Sequence, residues 1–212
     1  MDGRMAKKSY LIFLLSIFFL FAGYLAMAPL DRHDWLLENL LTVIFIIALL
    51  FSYRSFPLSL TAYTLIFLFL ILHEIGAHFT YAKVPYNDFF IHLFQFDVNA
   101  FFGFERNHFD RLVHFLYGFF LVYPLYEIFQ RGIGLKGFWG YFCAVNVIMS
   151  SSMLFELFEW AAAEIFGGDL GVAYLGTQGD VWDAHKDMAL ASLGALLVML
   201  VLAWFKGKSK SL

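Results

Sequence analysis

The sequence predicts an all-α, polytopic membrane protein: a bundle of six transmembrane helices in one integral membrane domain over 1–212, with both termini cytoplasmic. Three observations carry that expectation. Of 212 residues 61% are hydrophobic and only 15% charged, at mean hydropathy +0.73, too little charge to solvate the surface of a soluble domain. Six stretches approach the roughly 20 apolar residues that span about 30 Å of hydrocarbon. The basic residues, finally, gather on alternate sides of those stretches. Backbone groups in lipid must be satisfied within their own segment, so the spans are helices rather than open strands.

The first span, 10–28, follows a basic start (Arg4, Lys7, Lys8) and ends in Ala26-Met27-Ala28, which imitates a signal peptide. Its apolar stretch is longer than a signal core and further spans follow, so it reads as a retained anchor. The others are 35–52, 57–75, 112–129, 138–158 and 188–205. With an inner N-terminus, nine of the fourteen basic residues fall on the inner side, as the positive-inside rule requires. Fifteen of the seventeen acids and all seven histidines then fall at the outer face. Acids weigh little in topology, so their bias points to a chemical need at that face. A net charge of −3 offers no basic surface for nucleic acid, and the lone Cys143 lies in an apolar run.

Four motifs supply the chemistry. The third span ends in HEIGAHFTY, where Glu74 and His78 share a helix face and His73 lies about 100° round. The spacing is one residue longer than the zinc-protease motif, and solvated helix-end residues would show the same pattern. The fourth begins NHFDRLVHFLYGF, placing Asp110, His114 and Tyr117 in one stripe, with Arg111 turned elsewhere and free to meet an anionic headgroup or phosphate. His114 lies about one turn inside the membrane and needs a partner there. The fifth carries SSSMLFELFEW, with Ser152, Glu156 and Glu159 on one face. Two such carboxylates repel unless they share a proton, a cation or a basic partner. Before the last span, TQGDVWDAHKDMA sets Asp180, Asp183 and Asp187 in a stripe flanked by His185 and Lys186. Acids there suit a helix N-terminus, although Asp187 is deep for that role. Ala191, Gly194 and Ala195 follow as small surfaces for close helix contact. The outer loop 80–109 has eight phenylalanines within 87–109, fitting a segment in the headgroup plane or a lid over the site.

Taken together, HEIGAHFTYAKVPY, NHFDRLVHFLYGF, SSSMLFELFEW and LGTQGDVWDAHKDMALASLGA resemble the YjdF-type bacterial inner-membrane proteins, a family of uncharacterised function. The resemblance covers His73 to Ala195 and implies a multi-pass protein of the inner membrane. A remoter likeness is to VanZ-like membrane proteins, through Asp110, Arg111, His114, Glu156 or Glu159, Asp183, Asp187 and Gly194. It implies a role facing the cell envelope.

Three functions fit these residues. One is a membrane-embedded hydrolase or transferase acting at the outer face on an envelope lipid or cell-wall-linked substrate. In it His114, Glu156, Glu159 and Asp110 are the acid/base candidates. Arg111, Tyr117, Trp160, Gln178 and Lys186 would contact substrate, while His73, Glu74, His78, Asp183 and Asp187 are candidate ligands for a divalent metal such as zinc. The second is a protein that binds or transports a cation, a proton or a small solute. Charges confined to one face argue against translocation through the midplane. The third is a polar network that merely specifies helix packing. The partners expected are the lipid bilayer and a lipid or lipid-linked substrate, with no nucleic acid.

Overall fold

The computed structural model describes residues 3–168, 171 and 175–209. Six long helices in it meet the length and apolarity needed to cross a membrane. They are α1 (Gly3–Leu25), α2 (Arg32–Ser52), α3 (Leu60–His78), α6 (Phe109–Ile128), α7 (Phe138–Phe166) and α8 (Asp183–Ser209). Two short helices, α4 (Tyr86–Phe94) and α5 (Val98–Phe102), occupy the aromatic connection between α3 and α6, and a π-helical turn (Phe129–Ile133) extends α6. No strand occurs among the described residues.

Inside the hydropathy reading, α1 ends at Leu25 rather than 28 and α3 starts at Leu60 rather than 57, but most limits at the acidic face extend beyond it. At the acidic face α3 runs to His78, α6 starts at Phe109, α7 continues to Phe166, and α8 starts at Asp183 rather than at Met188. Hydropathy detects the hydrocarbon-spanning part of a helix, whereas polar caps and first-turn acids carry the helix on into the headgroup zone. Asp31 shows the device at α2: its side chain accepts from the backbone N–H groups of His33 and Asp34. Ser59 does the same for Ala62 at the start of α3.

The centre of the bundle is α6, which packs against α3, α7 and α8; α1 and α2 both lean on α3. The α6–α8 pair is the most extensive, and small residues make it so. A Cβ on Gly118 would run into the backbone of Ala191, and one on Gly194 into the backbone of Phe115. Without a hydrophobic drive between helices in lipid, such backbone-to-backbone approach supplies packing instead. Ala191 and Ala195 are fully buried in this seam, and Ala62, Val122, Ala144 and Ile148 complete the interior. Large apolar side chains such as Leu20, Phe51 and Leu200 point outward, where lipid rather than water surrounds them.

The end of the bundle opposite the acidic face is tied by one buried carboxylate. Glu127 accepts from the Ser59 backbone N–H at 2.7 Å, from the Ser59 hydroxyl at 2.5 Å and from Arg131. Nearby, the Lys206 ammonium donates to the Tyr126 hydroxyl at 2.6 Å.

Because the α6–α8 seam admits no added Cβ, Gly118→Val and Gly194→Val should each lower stability by about 1–3 kcal/mol through overpacking. Gly23, whose Cβ would meet nothing within 4 Å, should tolerate alanine with a change below about 1 kcal/mol. Thermal unfolding in mild detergent, followed by circular dichroism, separates the two cases.

Candidate functional site

The acidic face is organised in two tiers, the outer one a charged clasp. Arg106 donates to the Thr177 carbonyl at 2.7 Å and to both Asp183 oxygens. Arg111 donates to Asp180 and, at 3.2 Å, to Asp183. Lys186 reaches Asp180 at 2.5 Å. Gln178, at φ 48°, exchanges two hydrogen bonds with the backbone of Asn107. The N-terminus of α6 is thereby sewn to the N-terminus of α8. Lys186 chiefly, with the Trp182 N–H and Arg111, holds the Asp180 carboxyl well below its usual 3.8. His108 is pulled below 6.5 by burial and by the charges of Arg111 and Arg106; its ring stacks on Phe104 at 3.9 Å.

Beneath the clasp lies a buried tier. One oxygen or nitrogen each from Asp110, His114 and Asp187 lies within 4.8 Å of the others, a spacing that suits a shared metal ion. The α6–α8 crossing creates this triad: Asp110 and His114 are one turn apart on α6, and Asp187 faces them from α8. His114 Nε2 also stands 3.5 Å from Glu156 Oε1 and 3.6 Å from Asp110 Oδ1. Neither contact has the length and alignment of a hydrogen bond. Among the described residues, Asp187 Oδ1 and Glu156 Oε1 are buried without a hydrogen-bond partner. Around Tyr117, the hydroxyl meets Ser151 Oγ at 2.5 Å.

A cavity of about 370 Å³ opens beside the triad, bounded by α2, α3, α6 and α7. Its polar end is lined by Asp34, Glu38, His73, Asp110, His114 and Glu159, and its deeper walls by Phe45, Leu70, Leu121 and Phe155. Leu41, Leu154 and Phe158 line it too, yet each is more than 40% exposed, so the cavity opens sideways towards lipid between α2 and α7. Tyr81 closes the polar end, its hydroxyl 2.5 Å from His73 Nδ1. Two features place it there: Thr80 and Tyr81 both adopt left-handed φ (55° and 49°), and Gly76 leaves room for the phenol ring. Burial, with Glu38, Asp110 and Glu159 nearby, raises the Tyr81 phenol well above its usual 10 and keeps it protonated.

The structure therefore gathers Asp110, His114, Glu156, Glu159, Asp183 and Asp187 from the sequence-derived candidates, with Tyr117 and His73 at the cavity. Others lie apart. His78 bonds the Leu25 carbonyl at 2.9 Å, tying α3 to α1. Glu74 is buried to 1% exposure but does not line the cavity. Trp160 is 57% exposed and faces outward, Gln178 serves the loop clasp, and Arg111 is engaged by two carboxylates of its own chain. Sequence reasoning missed Asp34, Glu38, Tyr81 and Arg106. The signal for the first two was present: they stand four apart in RHDWLLENL, one face of an otherwise apolar span.

Fold and site together define a class: multi-pass helical membrane proteins with a buried carboxylate–histidine site at one membrane face and a cavity open to lipid. Residues 10–208 match the model of the family described as "Predicted membrane protein (DUF2238)", and the chain belongs to that family. It is 37% identical over 183 residues to "Inner membrane protein YjdF" of Escherichia coli (strain K12), covering 86% of this chain and 83% of that protein. The chain is an inner-membrane protein embedded in the bilayer, as its six spans require. No solved structure matches it.

Asp183 is 4% exposed and serves two arginines, so Asp183→Asn should cost on the order of 3 kcal/mol by leaving buried guanidinium charge under-compensated. Lys186, 48% exposed, should cost below about 1 kcal/mol when changed to alanine. Chemical denaturation in detergent at neutral pH measures both. A carboxyl whose pKa falls on folding stabilises above its unfolded value and ceases to do so as the pH drops towards the folded one. The Asp180 contribution should therefore be complete above about pH 4 and decline below it. Asp180→Asn should flatten that acid limb of the stability profile.

Proposed function

We propose that this protein is a membrane-embedded, metal-dependent hydrolase acting on an envelope lipid or lipid-linked substrate at the exterior face of the inner membrane, with both of its own termini cytoplasmic. The observation that carries the reading is the junction of a metal-capable triad with a cavity open to lipid. Asp110, His114 and Asp187 would hold a divalent cation such as zinc, and the chemistry it would supply is polarisation of a water molecule and of the oxygen of an ester or phosphoester bond. Glu156, 3.5 Å from His114, would take the proton from that water as its oxygen bonds to the ester carbon or phosphorus, and Glu159 would give a proton to the alcohol oxygen as the bond to it breaks. The apolar walls would take the hydrocarbon part of the substrate, and the lateral opening lets it arrive from the bilayer without crossing water.

A second reading, cation capture without catalysis, is favoured by the unpartnered oxygens of Asp187 and Glu156. Both readings expect a bound cation; only the first expects turnover.

Elemental analysis of protein purified in mild detergent should find about one divalent metal per chain, lost at least tenfold in affinity in Asp187→Asn and in His114→Ala while helicity is kept. Absence of metal binding in the wild type at neutral pH removes the reading. Glu156→Gln should keep the metal and lose hydrolysis of lipid extracts scored by mass spectrometry. If wild-type protein binds metal but hydrolyses no envelope lipid, the capture reading stands instead.

A further inference from the structure

The polar end of the cavity contains more acid than the triad can use. Asp34, Glu38 and Glu159 line it along with Asp110, and none of the first three makes an ion pair among the described residues. Among the described residues no lysine or arginine lines the cavity. Arg106 and Arg111 are spent on Asp180 and Asp183 in the clasp above. The attraction that Lys83 exerts on Asp34 comes from an exposed side chain outside the cavity.

Three side chains facing this space are more than nine-tenths buried and have a polar atom without a hydrogen-bond partner among the described residues. They are Glu38 (Oε2, residue 5% exposed), His73 (Nε2, 7%) and Ser152 (Oγ, 2%). A buried oxygen left unsatisfied costs free energy, and a buried carboxylate more so, unless a donor or a cation completes it. Aromatic faces stand close by in Phe69, Tyr81 and Tyr117, which also attract cations.

The apolar remainder sets the rest of the ligand. Along α2 from Asp34 to Phe45, and along α6 from Asp110 to Leu121, polar and apolar ends of the cavity are about 16 Å apart at 1.5 Å per residue. An inorganic cation would leave most of this length and nearly all the apolar wall unused. A headgroup with negative charge and no cationic group would meet carboxylates with no compensating guanidinium among the described lining residues.

We propose that the cavity selects an amphiphile with a protonated amine headgroup. Its ammonium lies among Asp34, Glu38 and Glu159, and its hydrocarbon tail runs between Phe45, Leu121 and Phe155. This deepens the hydrolase reading by naming the substrate's head, and it rests on that reading only for the bond that is broken. The amine belongs either to a bilayer lipid or to a free long-chain amine, and both present the same ammonium group to the acids.

Competitive native mass spectrometry of the full chain in a neutral maltoside detergent tests it. Phosphatidylethanolamine competes against phosphatidylglycerol of the same acyl chains, and tetradecylamine against tetradecanol. The amine-bearing member should be retained at least about fivefold over its counterpart in either pair, a ratio worth roughly 1 kcal/mol. Preference within the lipid pair identifies a bilayer lipid as the source, and preference within the second pair alone identifies a free amine. Asp34→Asn and Glu38→Gln should abolish the preference. Phe45→Trp should weaken amine and alcohol alike by filling the tail channel. Asp187→Asn should lose metal and keep the amine preference, so a failed metal site and a failed amine site give different results. Equal retention of amine and alcohol together with equal or greater retention of phosphatidylglycerol in the wild type overturns the proposal, whatever the variants do.

Discussion

The close approach of α6 and α8 is the contact on which the rest depends. Gly118 lets the Ala191 backbone touch α6, and Gly194 lets α8 receive the Phe115 carbonyl. In water such a seam would be reinforced by apolar burial; in lipid it holds through dispersion and fit alone. Its chemical consequence is at the acidic end. Two helices that touch at these glycines present Asp110 and His114 on one side and Asp183 and Asp187 on the other. A side chain at Gly118 would push the axes apart and open the triad before it disturbed any span. The clasp of Arg106, Arg111 and Gln178 fixes the same pair from above, so the triad is held between a packed seam and a charged lid.

Helix polarity explains why carboxylates are tolerated at this depth, though not everywhere they occur. Asp110 and Asp183 sit in the first turns of α6 and α8, where exposed backbone N–H groups favour negative charge. Glu74 lies one turn from the C-terminus of α3 and gains nothing from that effect; Glu156 and Glu159 are more than one turn inside α7. These acids must be stabilised by neighbours or by a ligand. At the acidic face the requirement stays open for Glu38, Glu74, Glu156 and Asp187, each of which keeps an oxygen without a hydrogen-bond partner among the described residues.

The six spans were legible because hydrocarbon thickness imposes a length and backbone satisfaction imposes a helix, and both act on composition alone. The stripes Asp110–His114 and Asp183–Asp187 were legible because helical spacing is local. What depends on tertiary contact was not. His78 looks like a partner for Glu74 by spacing, but its ring is taken by a carbonyl of α1. Trp160 adjoins Glu159 in the chain, and the roughly 100° step between successive helical residues leaves it exposed. Tyr81 enters the site through two left-handed residues and a glycine one turn back, a geometry that no apolar periodicity encodes. Asp34 and Glu38 had the right spacing but read as outer-end acids, since only the folded bundle turns α2 towards α3.

The molecule also contains its own standard for a purely structural buried acid. Glu127, 5% exposed, has both oxygens engaged: Ser59 supplies an N–H and a hydroxyl, and Arg131 supplies the counter-charge. That is how this chain builds a carboxylate whose task is to cap one helix and join it to another. Glu38, Glu156 and Asp187 are comparably placed in the bundle, yet each keeps an oxygen with no hydrogen-bond partner among the described residues. A network serving packing alone would gain by completing those oxygens, or by replacing the acids with leucine, because a half-satisfied polar core is worse than an apolar one. The contrast between the two ends of a single bundle argues that the acidic end is arranged for something that arrives after folding.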